Sequence, residues 1–315
     1  MNPVHALLQE SERTLGAAGV ERPRWTAEQI AASVLQCEPI ALAAALRSRT
    51  PVDESNQREV APRAVTPDDV EDIRRRVGWR AIGIPLQHVT GVAGFFGLDF
   101  MVAPWVFIPR PETERVVEVA LEEARRLTGG SGERRPDHGP LASRPVVMDV
   151  GTGSGAIVIS LTASGCVGTM YGFDFSRQAL TVARENARRL GAAARIAWVQ
   201  ADLLASCPPA CADLVVANLP YIPTSALPAL PREVQYDPVL ALDGGPDGLS
   251  VIRRLAGQAA SRLRPRGILV LEVGAGHAEI IRASIGRTWA ECDIINDDTG
   301  LARVVVLRGP TTTRG

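Results

Sequence analysis

Two hydrophobic periodicities divide the chain. Over residues 1 to about 92, apolar side chains return every three or four positions, the spacing that puts them on one helix face. Val4, Leu7, Leu8 and Leu15 form a first stripe, Ile30, Val34 and Leu35 a second, and Ile40 to Leu46 a third. A fourth helix declares its own start. Thr66 can cap, Pro67 suits the first turn, and Asp69 sits three residues past the cap, where an acid returns the cap's hydrogen bond. Val70, Ile73 and Val77 give that helix an apolar face, while Arg74, Arg75 and Arg76 lie on its polar side, either solvated or meeting an acidic or RNA-bearing partner. Residues 51 to 63 are polar and proline-marked and read as a loop. Short β-like runs separated by Gly91, Gly94 and Gly97 predict a hairpin over 86–108, bridging two domains. A helix is predicted from about Glu112 to Leu127, and a flexible insertion over 128–145 that carries His138.

From Pro145 the pattern changes to strand, helix, strand, helix. The predicted strands are Val146–Val150, Thr169–Phe173, Ile196–Val199, Leu214–Ala217, Ile268–Leu271, Cys292–Ile295 and Arg303–Leu307. Alternation of this kind predicts an α/β fold with a Rossmann-like, mostly parallel seven-stranded sheet covered on both faces. Two strands after the last helix predict an antiparallel edge. The expected division is a helical domain over 1–85, a β-hairpin linker over 86–110 and the sheet domain over 111–315.

Composition narrows the chemistry. The formal net charge is −1 and every basic side chain is arginine. The charge predicts no direct nucleic-acid binding, and the absence of lysine removes Schiff-base chemistry and the lysine-bearing phosphate loop. Cys37, Cys166, Cys207, Cys211 and Cys292 are odd in number and irregularly spaced, so no disulfide framework and no metal is expected, and free thiols in a reducing cytoplasm are. No apolar run reaches the length of a membrane span, and the first residues do not read as a signal peptide.

The candidate ligand site lies at successive strand ends. The first predicted strand runs into Asp149-Val150-Gly151-Thr152-Gly153-Ser154-Gly155, a turn whose glycines let backbone approach a ligand. The spacing is G-x-G-x-G, without the third-glycine spacing of a dinucleotide fingerprint. Alone it is equally a tight turn, and Asp174 or Asp202 alone is equally a helix cap. Together they predict S-adenosylmethionine. Gly151, Thr152, Gly153 and Gly155 shape the loop, and Asp149 faces the cofactor's ammonium end. Asp174 accepts the ribose hydroxyls at the second strand tip. Asp202 accepts from the adenine amino group while Leu203 covers its ring.

The next strand ends in Asn218-Leu219-Pro220-Tyr221-Ile222-Pro223. With it come Pro85-Leu86-Gln87-His88-Val89-Thr90-Gly91, then Phe107 to Glu114 (FIPRPETE), then Glu233-Val234, Tyr236-Asp237-Pro238 and Ala241 to Leu249 (ALDGGPDGL). On these stretches, from about residue 80 to the C-terminus, the sequence resembles the HemK/PrmC family, which methylates the glutamine amide of peptide-chain release factors. The resemblance implies S-adenosylmethionine as donor, S-adenosylhomocysteine as product, and a class I release factor as protein partner gripped by the N-terminal helices. It implies catalytic roles for Asn218, Pro220 and Tyr221, with Asn218 also bordering the cofactor. Leu219, Arg110 and Glu112 are implied to join Asn218, Pro220 and Tyr221 at the substrate. The amide nitrogen is a poor nucleophile, so Asn218 and a loop carbonyl are expected to accept its two hydrogens and the Tyr221 ring to pack on its plane. Two positions depart from the family: Leu219 stands where it has proline, and Ile84 where it has an acid. Leu219 adds an N–H and a bulky side chain at the expected substrate wall. It leaves open a paralogue acting on a small molecule or another peptide, with DNA amino-methylation or an inactive cofactor-binding module as further alternatives.

Overall fold

The computed structural model describes residues 3–47, 64–128 and 144–311. The predicted loop at 51–63 and nearly all of the 128–145 insertion, His138 included, lie outside the described residues. The rest packs as two units: residues 1–92 with 231–236, and residues 93–230 with 237–315.

The first unit is helical, with α1 (Pro3–Ala17), α2 (Pro23–Leu35), α3 (Pro39–Arg47), α4 (Pro67–Ala81) and the short α5 (Leu86–Thr90). The predicted stripes face one another. Leu7, Leu8 and Leu15 meet Ile30, Leu35, Leu42, Ile73, Val77 and Val89 in one core. The start of α4 is the expected capping box: Asp69 N donates to Thr66 Oγ1, and Thr66 N donates to Asp69 Oδ2 at 2.8 Å. All three arginines are tied within the unit, Arg75 by an ion pair with Asp72 and by stacking over the Trp79 ring. Arg74 pairs with Glu10 of α1, and Arg76 pairs with Asp72 and donates to the Val89 carbonyl. Residues 231–236 belong here through the ion pair of Arg80 with Glu233.

The second unit opens with a hairpin shorter than predicted, β1 (Val92–Phe95) and β2 (Leu98–Met101). Residues 86–90 are helical because the Thr90 hydroxyl and the Gly91 amide close a turn on Leu86 and Gln87. Next come α6 (Glu114–Thr128), β3 (Val146–Val150), α7 (Ala156–Ala163), β4 (Thr169–Asp174), α8 (Arg177–Arg189), β5 (Ile196–Gln200) and β6 (Ala212–Ala217). The chain then passes through the short α9 (Val239–Leu242) to α10 (Ser250–Arg262), β7 (Leu263–Glu272), α11 (His277–Ser284), β8 (Trp289–Asn296) and β9 (Ala302–Pro310). All seven predicted strands form one sheet, ordered β5-β4-β3-β6-β7-β9-β8. The first five are parallel, and β9 runs antiparallel between β7 and β8.

Both faces are dry, which is why the central strands read as unbroken apolar runs. On one face Val147, Met170, Leu214 and Val270 pack with Val116, Val117 and Ala120 of α6 and with α7. On the other, Val150, Val215, Leu269 and Val305 pack with Ile252, Leu255 and Ile281 of α10 and α11. Helix α7 is buried at almost every residue and is accordingly apolar all round. Asn186 of α8, fully buried, accepts from Met101 N and donates to the carbonyls of Met101 and Ser154. It thereby joins the hairpin to the turn that follows β3. Chain order reverses between β3 and β6, so the ends of β3, β4 and β6 open on a common crevice.

Candidate functional site

The crevice is a cavity of about 550 Å³ at the C-terminal ends of the parallel strands. Its floor is the turn after β3. Gly151, Gly153 and Gly155 all have positive φ, at 75°, 57° and 83°, a region glycine enters without the Cβ penalty. The turn is anchored from β4: Gly151 N and Thr152 N both donate to the Phe173 carbonyl at 2.9 Å, and Gly153 N donates to Asp174 Oδ2 at 2.9 Å. Asp174 also accepts from Ser176 N at 2.8 Å, and burial raises its carboxyl above the usual range.

Asp149 stands beneath this turn, away from the cavity wall. It is fully buried, and its Oδ2 accepts from the Thr152 hydroxyl at 2.6 Å and from Val158 N at 3.2 Å. Its Oδ1 is buried without a partner, and burial pushes the carboxyl up to about 7. An unsatisfied acceptor behind a backbone cradle fits a ligand with an ammonium end, whose approach favours the ionised acid. At the next strand tip Asp202 is half-exposed on the wall and pairs with Arg254 at 2.5 Å, while Leu203 is buried beside it with φ 53°.

The fourth wall follows β6. Asn218 Nδ2 donates to Thr113 Oγ1 at 2.9 Å across 105 residues of sequence. This leaves its Oδ1 as the acceptor end of the amide, and Asn218, Leu219 and Pro220 all line the cavity. Leu219 does not protrude there as its size suggests. It is 4% exposed, and its Cδ2 lies 2.8 Å from where a Cβ on Gly151 would stand. The side chain is spent on packing the asparagine loop against the glycine turn.

The ALDGGPDGL stretch supports this loop. Ile222 N donates to the Leu242 carbonyl, Gly244 N to the Ile222 carbonyl, and Thr224 N to the Gly245 carbonyl. Asp243 Oδ1 accepts from Thr224 Oγ1 at 2.6 Å and from Gly245 N at 2.9 Å. Gly248 has φ 76°, and a Cβ there would meet the Tyr221 carbonyl at 2.3 Å, so backbone contact demands glycine.

Three of the residues expected at the substrate, Tyr221, Arg110 and Glu112, do not line this cavity. Tyr221 is off the cavity wall. Its hydroxyl donates to Glu272 Oε1 at 3.5 Å, and burial with the nearby Glu272 charge pushes the phenol up to about 12. Arg110 lies over the Phe107 ring at 5.1 Å and pairs with the buried Asp237, which also accepts from Ile108 N. That pair pins the FIPRPETE stretch, so that Phe107, Pro109 and Thr113 reach the cavity while Arg110 and Glu112 do not. Gly155 likewise stands off the wall, at the start of α7. Positions not foreseen include Trp105, Phe107, Leu240 and Arg254. No contiguous motif marked Trp105, Leu240 or Arg254; Trp105 and Leu240 are large apolar side chains left 50% and 63% exposed.

Among the described residues no helix is long and apolar enough to cross a membrane, and no group of three His, Cys, Asp or Glu residues is placed to hold a metal. All five cysteines are free thiols.

Comparison with known proteins bears on the identity of this site. A family model described as a methyltransferase domain matches residues 141–293. A protein from Moorella thermoacetica named release factor glutamine methyltransferase is 43% identical over 275 residues, 87% of each chain. A protein of the same name from Geobacter sulfurreducens is 37% identical, covering 76% of this chain and 79% of its own. Another, from Nitratidesulfovibrio vulgaris, is 33% identical over 98% of both. The similarity thus runs through the helical unit as well as the sheet, and the chain belongs to the release factor glutamine methyltransferase family.

Proposed function

We propose that this chain methylates the side-chain amide nitrogen of the glutamine in a Gly-Gly-Gln loop of a class I release factor, in the cytoplasm. The observation that carries the reading is Asn218. Its NH2 is held by Thr113, so its carbonyl oxygen is the end presented where the cavity passes from the glycine turn to the asparagine loop.

S-Adenosylmethionine, when bound, supplies an electrophilic methyl group on a sulfonium. The residues present fit it: Asp174 offers acceptors to vicinal hydroxyls, Asp202 and Leu203 an acceptor and an apolar cover for a base, and the Gly151–Gly153 turn a close backbone approach. Asp149 acts from beneath, holding the turn through Thr152 and adding negative charge there. On the other wall, Asn218 Oδ1 accepts one hydrogen of the substrate amide and a carbonyl of the loop accepts the other. That fixes the NH2 plane and favours positive charge building on nitrogen. Pro220 keeps the loop short of one N–H donor, so the slot presents acceptors to an NH2 group. The helical unit, residues 1–92 with 231–236, is the grip for the protein partner.

The test is incubation with S-adenosylmethionine and a class I release factor, followed by peptide mass spectrometry. The expected result is the mass of one methyl group on the loop glutamine. No methylation of any class I release factor overturns the reading.

A further inference from the structure

Leu203 sits between two anchors provided by one helix. Its φ of 53° lies in the left-handed region, where a leucine is strained, and such strain persists only where neighbours hold it. Both anchors come from α10. Arg254 Nη2 donates to Asp202 Oδ2 at 2.5 Å, and Gln258 Oε1 accepts from Leu204 N at 2.8 Å. Arg254 and Gln258 are one turn apart and so share a face of the helix. The helix is itself fixed, because Ile252, Leu255, Ala256 and Ala259 are buried against the sheet. It therefore sets the turn after β5 twice, the backbone through Gln258 and the carboxylate through Arg254.

Stability does not explain the ion pair. The Arg254 and Asp202 side chains are 53% and 51% exposed, and a pair so open to water adds little to folding. Both side chains line the cavity. Among the described residues Arg254 is the one hydrogen-bond partner of the Asp202 carboxylate, so without it the acid would turn freely. An ionised carboxylate can only accept. With Oδ2 taken by Arg254, Oδ1 is the acceptor left for a ligand.

We propose that Arg254 determines which base the cofactor site accepts: by holding Asp202 Oδ2 it keeps Oδ1 as a fixed acceptor, which admits a purine bearing an amino group and rejects one bearing a keto oxygen at the same position. The proposal rests on the reading of Asp202 as the acceptor for the adenine amino group and adds what aims it. Arg254 is a positioning residue in this, acting through Asp202. An amino group donates to Oδ1. A keto oxygen in its place sets two acceptors against each other and strips water from the carboxylate without replacing it. The strained turn has the same purpose: it puts the acid and the apolar Leu203 side by side, and α10 keeps them there.

The experiment measures binding of S-adenosylhomocysteine and of its keto analogue, S-inosylhomocysteine, by titration calorimetry of the full chain. It compares the wild type with Arg254→Ala, Arg254→Lys and Gln258→Ala, and it needs no methyl transfer. The wild type should prefer the adenine compound about 10- to 100-fold, the scale of one hydrogen bond to a charged group against two facing acceptors. In Arg254→Ala that ratio should fall about tenfold, through weaker S-adenosylhomocysteine binding alone, and the retained S-inosylhomocysteine binding shows that the variant is folded. Arg254→Lys, which keeps a donor and the charge, should recover most of the ratio. Gln258→Ala frees the Leu204 amide and leaves the ion pair, so it should weaken both compounds alike. An unchanged ratio in Arg254→Ala overturns the proposal, as does equal weakening of both compounds there. So does a ratio lost as fully in Gln258→Ala, which would assign the effect to the backbone of the turn. A wild type that binds neither compound ends the cofactor reading and this proposal together, whereas tight binding with an unmoved ratio ends this proposal alone.

Discussion

Alanine at Gly151 tests how the two loops of the site are locked together. Gly151 has φ 75°, and an alanine held in that left-handed region costs about 1–2 kcal/mol. The new Cβ would also stand 2.8 Å from Leu219 Cδ2. Leu219 is 4% exposed and packed against the turn, so its side chain must shift to make room, and overpacking of this kind costs about 1–3 kcal/mol. The sum is about 2–5 kcal/mol, which for a domain of this size lowers Tm by roughly 5–15 °C. The two contributions are separable. In a Leu219→Ala background the steric part disappears, and Gly151→Ala should cost only the backbone part, about 1–2 kcal/mol. Calorimetry of the wild type, both single variants and the double variant supplies the cycle. If Gly151→Ala costs the same in both backgrounds, to within about 0.5 kcal/mol, the two loops are not in contact and the reasoning fails.

The remaining predictions concern the cofactor, the pH response and the departing leucine. Asp174→Ala removes the acceptor for Gly153 N and Ser176 N together with the proposed hydroxyl contact, and should weaken S-adenosylmethionine binding about 10- to 100-fold by calorimetric titration; unchanged affinity removes Asp174 from the site. Asp149, pushed up to about 7, keeps in the folded chain a proton that the unfolded chain releases near the ordinary aspartate value of 3.8. Its contribution to stability is therefore full at acid pH, declines as pH rises from about 4 to about 7, and is flat above. Asp149→Asn should shrink that decline in urea unfolding curves taken across the window, and an identical slope in the variant refutes the assignment. The same protonation opposes a cationic ligand, so S-adenosylmethionine should bind more tightly at pH 8 than at pH 6, and by less in Asp149→Asn. Leu219→Pro, which restores the family's residue, removes the packing on Gly151 and should weaken cofactor binding without raising kcat on a release factor. A marked rise in kcat would show that Leu219 blocks the substrate.

What the sequence by itself determined was local. The helix stripes, the Thr66–Asp69 capping box and all seven strands were legible, because periodicity and capping depend on neighbours within a turn or two. The glycine turn and the acids at three strand tips were legible for the same reason: each motif is contiguous. Periodicity says which face of an element is buried and nothing about what covers it. Tertiary structure alone decided that β9 enters between β7 and β8, that Asp149 sits under the turn, and that Tyr221 and Arg110 turn to Glu272 and Asp237. Most of all it decided the pairing of Thr113 with Asn218. Those two positions meet only because a parallel sheet brings the end of β6 beside the start of α6, a proximity created by strand order and written in no local pattern.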